Sequence, residues 1–133
     1  VSRILLSNRT AAKAEDLARH FGPSVEAIGW EEKDSALSAC GLLVNTTSLG
    51  MAGQPPLDIA VAALPASAVV ADIVYVPLET PLLATARMRG LTTVDGLGML
   101  LHQAVPGFER WFGVRPEVTA DLRAHVVATL GVG

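Results

Sequence analysis

Short apolar runs alternate along the chain with longer stretches in which apolar residues recur at helical spacing. The runs predict β-strands at residues 4–6, 25–28, 42–45, 69–76 and 92–94. The stretches between and after them predict helices at residues 11–21, 30–40, 57–64, 81–90, 99–112 and 116–130. The apolar face of the first helix consists of Ala11, Ala14, Leu17, Ala18 and Phe21. This alternation predicts an α/β fold with a doubly wound sheet.

Local signals mark the ends of several of these elements. Thr10 is a predicted N-cap, and Gly22 followed by Pro23 closes the first helix. Thr80 followed by Pro81 opens a later helix, because a proline at an early helical position needs no N–H partner. These signals support the predicted order of elements.

Asp72 is an anomaly, since it lies inside the predicted strand at 69–76, the longest apolar run. A buried carboxylate must be paired or hydrogen-bonded. We therefore expect Asp72 to cap a neighbouring loop or to accept backbone N–H groups. Its predicted role is structural rather than catalytic.

Arg9 follows the first predicted strand, between Asn8 and Thr10. In an open α/β sheet, ligands bind at the carboxyl ends of the strands. At the end of the second strand of a dinucleotide-binding fold, an acid binds the ribose hydroxyls of NAD, whereas an arginine accommodates the 2′-phosphate of NADP through its guanidinium. Lys13 adds a second positive charge, and the helix start also favours an anion. Two interpretations stay open: a phosphate site, or a capped helix beside a solvated arginine.

Other strand ends carry further candidate groups. The Gly- and Pro-rich run at 45–57 is either a binding loop or an ordinary connection. Tyr75 lies at the end of its strand with a hydroxyl that donates or accepts. Gly96 and Gly98 allow the backbone to approach a ligand closely. Gln103, among apolar neighbours on a helix, is either a satisfied core amide or a ligand contact.

Composition excludes several classes of protein. The 133 residues are 50% hydrophobic with a mean hydropathy of +0.42, which excludes disorder and predicts one domain. No apolar run is long enough to span a membrane, and a net charge of −3 offers no basic face for nucleic acid. A single cysteine predicts a reduced, cytoplasmic setting. Metal-ligand spacing is not found among the four candidate ligands Cys40, His20, His102 and His125.

The predicted fold lacks its usual beginning. A dinucleotide-binding domain normally opens with a strand, a Gly-rich loop and a helix, and the ribose-reading residue follows on the second strand. Here that second strand comes first and no G-x-G-x-x-G precedes it. Because the first strand is central in the order 3-2-1-4-5-6, its absence leaves a gap in the sheet. We expect Val1 to be an internal residue of a longer protein.

Four motifs resemble one known family. SNRTAAKAEDLA, NTTSLGM, DIVYVPLETPLL and DGLGMLLHQAVPGFERWFG occur in the order and spacing of the carboxyl-terminal half of shikimate dehydrogenase, from about residue 3 to residue 113 and more weakly beyond. The resemblance implies a truncated Rossmann-like NADP-binding domain at 1–133. It also implies an NADP-dependent oxidoreductase that interconverts 3-dehydroshikimate and shikimate in aromatic amino acid and chorismate biosynthesis.

The resemblance also implies roles for individual residues. The adenosine 2′-phosphate of NADP is bound by Asn8, Arg9, Thr10 and Lys13. The rest of the cofactor meets the loop through Thr47, and its nicotinamide end meets Ile73 and the backbone of Gly96. The polar groups of the substrate are bound by Tyr75 and Gln103.

The catalytic pair of the family, a lysine and an aspartate, comes from an amino-terminal substrate domain that this chain does not contain. The chain alone is therefore expected to be inactive, with a helix at about 115–133 near that domain. Two alternatives stay open: a paralogue that takes quinate or uses NAD, and a nucleotide-binding module without activity. The sequence does not set the oligomeric state, and a homodimer is compatible with the resemblance.

Overall fold

The computed structural model describes residues 2–130, so that Val1 and the end of the predicted segment at 115–133 lie outside the described residues. The chain divides into two compact units. The first unit contains the residues up to Cys40 together with Ile59–Pro65. The second unit contains Gly41–Asp58 and the chain from Ala66 onward.

The first unit is built on two parallel strands, β1 (Ile4–Ser7) and β2 (Val25–Ile28), joined by helix α1 (Ala11–Phe21). Gly22 ends α1 as predicted, with a φ of 82° and its N–H donated to the Ala18 carbonyl. The predicted apolar face is only partly covered within the described residues. Ala14 is buried, whereas Leu17 and Phe21 stay 45% and 63% exposed.

The helix predicted at residues 30–40 is wrong as a single element. Residues 30–40 form a 3₁₀ turn (Trp30–Glu32), a four-residue helix α2 (Lys33–Ala36) and a second 3₁₀ turn (Leu37–Ala39). Only one side chain of this stretch, Leu37, is buried, and a short segment without an apolar face does not sustain a longer helix.

Residues 57–64 form only a 3₁₀ turn, Val61–Ala63, in place of the predicted helix. The Asp34 carboxylate accepts the Ala60 N–H at 2.9 Å. A side chain thus accepts the N–H that a backbone carbonyl would accept in a helix. Val61 and Leu64 are both buried, which fixes this turn by packing.

The second unit contains a three-stranded parallel sheet in the order β3 (Leu42–Asn45), β4 (Val69–Asp72), β5 (Thr92–Val94). Its helices are α3 (Pro81–Met88), α4 (Gly96–Phe112) and α5 (Ala120–Leu130). The largest fully buried apolar side chains, from β4, α3 and α4, are Val70, Leu83 and Leu97. The central strand β4 therefore anchors the core of this unit.

Strand β4 ends at Asp72, four residues before the predicted end. The Asp72 carboxylate accepts the Val74 N–H at 3.0 Å, which turns the backbone away from the ladder. This bond confirms that Asp72 accepts a backbone N–H, as a buried carboxylate in a strand must. A cis peptide bond joins Val76 to Pro77 beyond the turn.

Side-chain caps set the starts of the last two helices. Helix α4 begins at Gly96 rather than at residue 99, because Asp95 accepts the Leu97 N–H at 3.0 Å. Helix α5 begins at Ala120 rather than at residue 116, because the Thr119 hydroxyl accepts the Leu122 N–H at 3.1 Å. Both differences reflect caps that the apolar pattern does not encode.

One face of the three-stranded sheet is exposed in the described part of the chain. The strand register places Leu42 and Val44 of β3 on the same face as Val94 of β5. These side chains are 55%, 43% and 50% exposed. Parallel sheets are normally covered on both faces, so this face departs from the usual arrangement.

The start of α4 generates a prediction about stability. A Cβ atom at Gly96 would overlap the Ile73 carbonyl and lie 2.7 Å from the Val74 oxygen, both of which are backbone groups. Gly96→Ala is expected to lower the free energy of unfolding by roughly 3 kcal/mol, measured by urea denaturation. Gly98→Ala is the matched control, since a Cβ there meets nothing within 4 Å. The control is expected to stabilise the helix by up to about 1 kcal/mol. Equal effects of the two substitutions would contradict this packing argument.

Candidate functional site

Two unpaired cations follow β1 in the first unit. Arg9 and Lys13 are exposed, and neither has an ion-pair partner within residues 2–130, whereas Arg19 in the last turn of α1 pairs with Asp16 at 2.6 Å. Asn8 Oδ1 lies 3.5 Å from the Thr10 N–H. The predicted N-cap position of Thr10 is confirmed, but its side chain makes no capping bond. This leaves a hydroxyl, two positive charges and the first amides of α1 available to an anion.

A cavity of about 360 Å³ lies at the carboxyl ends of β3 and β4 in the second unit. It is lined by the loop after β3, by the segment after β4 and by the first turns of α4: Thr46, Thr47, Ser48, Met51, Ile73, Val74, Tyr75, Val76 and Met99. Three of the residues predicted to bind ligands are thus together, namely Thr47, Ile73 and Tyr75. The two methionines of the lining were missed.

Gly96 and Gln103 lie outside the lining of this cavity. Gly96 is buried, and its N–H donates to the carbonyl of Val74, a lining residue, at 3.2 Å. Gly96 thus holds the backbone of the cavity lining without lining the cavity itself. Gln103 is exposed on α4, one turn beyond Met99 and on the same helical face. The interpretation of Gln103 as a satisfied core amide is therefore wrong, and a ligand contact remains its predicted role.

The hydroxyl group of Thr47 forms its hydrogen bonds with other residues of the protein. The hydroxyl donates to Asn45 Oδ1 at 2.8 Å and accepts the Leu49 N–H at 3.1 Å. A hydroxyl has one proton to donate, and here that proton is already engaged. What Thr47 presents to the cavity is chiefly its methyl group and backbone.

A buried polar network lies beneath the cavity and was missed by sequence reasoning except for Asp72. The Asn45 amide donates to Asp72 Oδ1 at 3.0 Å, and the Thr80 hydroxyl donates to Asp72 Oδ2 at 2.7 Å. Asn45 and Asp72 are each 2% exposed, and Thr80 is 0% exposed. The signal that could have revealed the network is that a buried carboxylate must have hydrogen-bond partners. Asn45 is one candidate partner, because it ends the neighbouring strand in register with Asp72.

The chemistry available in the cavity is limited. Its lining contains hydroxyl groups and apolar side chains but no Lys, Asp, Glu or His. Within residues 2–130, no three His, Cys, Asp or Glu side chains are grouped closely enough to hold a metal ion. No helix in that range is both long enough and apolar enough to cross a membrane.

Comparison with known proteins confirms the resemblance drawn from the four motifs. The profile of the Shikimate 5'-dehydrogenase C-terminal domain family matches residues 96–124. The shikimate dehydrogenase (NADP(+)) of Azorhizobium caulinodans is 63% identical over 128 residues, which are 96% of this chain and 46% of that protein. The chain thus spans about half the length of the curated relatives that it matches.

Solved structures confirm the Rossmann-like α/β fold class. Quinate dehydrogenase from Corynebacterium glutamicum in complex with NAD superposes with a TM-score of 0.86 at 29% identity, over 96% of this chain and 47% of that chain. Shikimate 5-dehydrogenase from Thermus thermophilus, in complex with NADP(H) and shikimate, gives a TM-score of 0.72 at 31% identity. That match covers 86% of this chain and 42% of the other.

The double role of the Thr47 hydroxyl generates a prediction about the loop. Thr47→Val removes both hydrogen bonds, and loss of the one to the Leu49 N–H costs about 1 kcal/mol, which corresponds to about a fivefold faster amide exchange at Leu49. Hydrogen exchange followed by NMR measures this rate. Thr47→Ser keeps the hydroxyl and is expected to exchange like the wild type. Unchanged exchange in Thr47→Val would show that the bond to Leu49 does not order the loop.

Proposed function

We propose that this chain, which matches the carboxyl-terminal half of NADP(+)-dependent shikimate dehydrogenases along 96% of its length, is the cofactor-binding part of such an enzyme. The whole protein would reduce 3-dehydroshikimate reversibly to shikimate. The observation that carries the proposal is the cavity at the carboxyl ends of β3 and β4, which brings Thr47, Ile73 and Tyr75 together. Ligands of open α/β sheets bind at this edge.

The residues after β1 fit the phosphate of NADP. Arg9 and Lys13 carry unpaired positive charges in the described part of the chain, and the amides at the start of α1 favour an anion. An arginine also donates two parallel hydrogen bonds to a phosphate, whereas an acidic side chain at this position would repel the phosphate. These features support NADP over NAD. Asn8 and Thr10 are proposed to bind the same phosphate.

The cavity fits the reacting end of the cofactor and the substrate. Ile73 and Met99 offer apolar surface that excludes water, and the backbone near Gly96 supports the same wall. The Tyr75 hydroxyl has no hydrogen-bond partner among residues 2–130, so it is available to a substrate oxygen. Gln103, one turn from Met99, supplies a second polar group. NADP, when bound, supplies the hydride acceptor for oxidation of one ring alcohol to a ketone.

The proton released with the hydride needs a base within hydrogen-bond reach of the reacting oxygen. The cavity lining offers only hydroxyl groups. We therefore assign proton transfer to the lysine and aspartate that the resemblance places in an amino-terminal substrate domain. That domain is the proposed partner of this one, and the helix around 120–130 is proposed to lie near it.

Quinate dehydrogenase is the second candidate, favoured by the TM-score of 0.86 with the enzyme from Corynebacterium glutamicum. That structure holds NAD, whereas Arg9 favours NADP here. A nucleotide-binding module without activity is less well supported, because Tyr75 and Gln103 have no use in binding a nucleotide. The single cysteine and the biosynthetic role support a cytoplasmic location.

The phosphate assignment predicts a change of cofactor preference. Arg9→Asp removes charge-assisted hydrogen bonds of about 1.5–3 kcal/mol, so the Kd for NADPH is expected to rise about 10- to 100-fold. The Kd for NADH is expected to stay unchanged in fluorescence titrations. Arg19→Ala is the matched control, since Arg19 lies in the last turn of α1, the helix that follows Arg9, and pairs with Asp16. Equal losses for both cofactors in Arg9→Asp would refute the assignment.

Because proton transfer is assigned to the amino-terminal substrate domain, we predict that the 133-residue chain alone has no dehydrogenase activity. Assays of reduced nicotinamide formation with shikimate and NADP(+) are expected to show turnover for the native protein that carries this chain and none for the chain itself. The reason is the lack of a base in the cavity lining. Turnover by the purified chain would overturn this view, and a preference of the native protein for quinate would favour the second candidate.

A further inference from the structure

We infer that Asn45, Asp72 and Thr80 are positioning residues of the proposed site, because the network that they form fixes both loops that line the cavity. The inference rests on the proposed function. None of the three residues lines the cavity, so they act on the substrate only through the loops.

The network is fully buried and fully bonded. Burying polar groups is costly unless each of them finds a hydrogen-bond partner. Among the described residues, no buried side-chain nitrogen or oxygen lacks a partner. The Asn45 amide donates two bonds and accepts two, and both oxygens of Asp72 accept. A substitution that removes one of these polar groups therefore leaves its buried partner without a hydrogen bond.

Asn45 fixes the first loop, the residues after β3. Its amide nitrogen donates to the Leu49 carbonyl at 3.0 Å, and its Oδ1 accepts the Thr47 N–H at 3.0 Å. Thr47 and Ser48 line the cavity between these anchor points. The conformation of the loop is thus specified by one buried side chain.

Asp72 and Asn45 together fix the second loop, the residues after β4. Asp72 Oδ1 accepts the Val74 N–H at 3.0 Å, and the Asn45 carbonyl accepts the Ile73 N–H at 3.1 Å. Tyr75 follows directly. The position of the Tyr75 backbone in the wall of the cavity therefore depends on bonds that start at the ends of two strands.

Thr80 links the network to α3. Its hydroxyl accepts the Leu83 N–H at 3.3 Å as the helix cap and donates to Asp72 Oδ2. A Cβ built at Gly50 would lie 3.5 Å from the Thr80 Cβ, so the end of the first loop also packs on this threonine. The carboxylate of Asp72 is held from two sides, which prevents it from turning.

Directional bonds explain why these positions are polar. Well-packed apolar residues often give as much stability as a buried polar group, but they tolerate more than one arrangement. A network in which every donor has one acceptor specifies a single loop geometry. Sub-ångström placement of reacting groups is what a hydride transfer between two bound molecules requires.

The test compares Asn45→Ala with Val70→Ala in the native protein. Val70 is fully buried in β4 but does not line the cavity, so its substitution lowers stability by a packing loss alone. Asn45→Ala is expected to lower kcat/KM for shikimate at least tenfold more than Val70→Ala does, through both kcat and KM. The Kd for 2′,5′-ADP, a probe of the residues after β1, is expected to stay unchanged.

A second pair of variants keeps the inference testable if Asn45→Ala does not fold. Thr80→Val keeps the shape of threonine but loses the hydroxyl, whereas Thr80→Ser keeps it. We expect kcat/KM to fall at least tenfold in Thr80→Val and to be rescued in Thr80→Ser. Loss of melting temperature without loss of kcat/KM in either pair would overturn the inference.

The outcomes separate this inference from the proposed function. If the wild-type protein shows no turnover with shikimate, the proposed function fails, and amide exchange at Leu49 and Val74 then tests the network alone. Exchange at both amides at least fivefold faster in Thr80→Val than in Thr80→Ser would support the positioning of the loops. Equal exchange in the two variants would overturn it.

Discussion

The buried carboxylate of Asp72 is the constraint on which the second unit depends. A negative charge at the end of the central strand is tolerated only with a full set of donors, and these come from β3, from the turn after β4 and from the cap of α3. The same bonds that satisfy the carboxylate end the strand and start the loops. Strand length, helix start and cavity shape are therefore consequences of one desolvated group.

Elements with a strong local signal were predictable from the sequence. The five strands all begin where the apolar runs predict, although β4 ends four residues early. Gly22 ends α1 with the positive φ that glycine adopts readily. The predictions at 30–40 and 57–64 were wrong because tertiary bonds, such as that from Ala60 to Asp34, override weak helical periodicity. Helix starts differed by several residues where Asp95 or Thr119 supplies a cap.

The candidate site was predictable only where its chemistry is local. Arg9 follows a strand and precedes a helix, a context that three neighbouring residues reveal. Asn45 and Asp72 are 27 residues apart, and their contact follows from the pairing of β3 with β4, which no local pattern encodes. Gly96 has a structural reason in addition to any contact with a ligand, because the backbone of Ile73 and Val74 fills the space of its side chain.

The exposed face of the three-stranded sheet has a practical consequence for work on this polypeptide. Within residues 2–130, β3 pairs only with β4, so its other edge presents free N–H and C=O groups next to the uncovered side chains of Leu42 and Val44. Such an edge is a template for pairing with a second strand, and an apolar surface beside it strengthens the contact. A sample restricted to these residues is prone to self-association, and binding constants measured on it will depend on protein concentration.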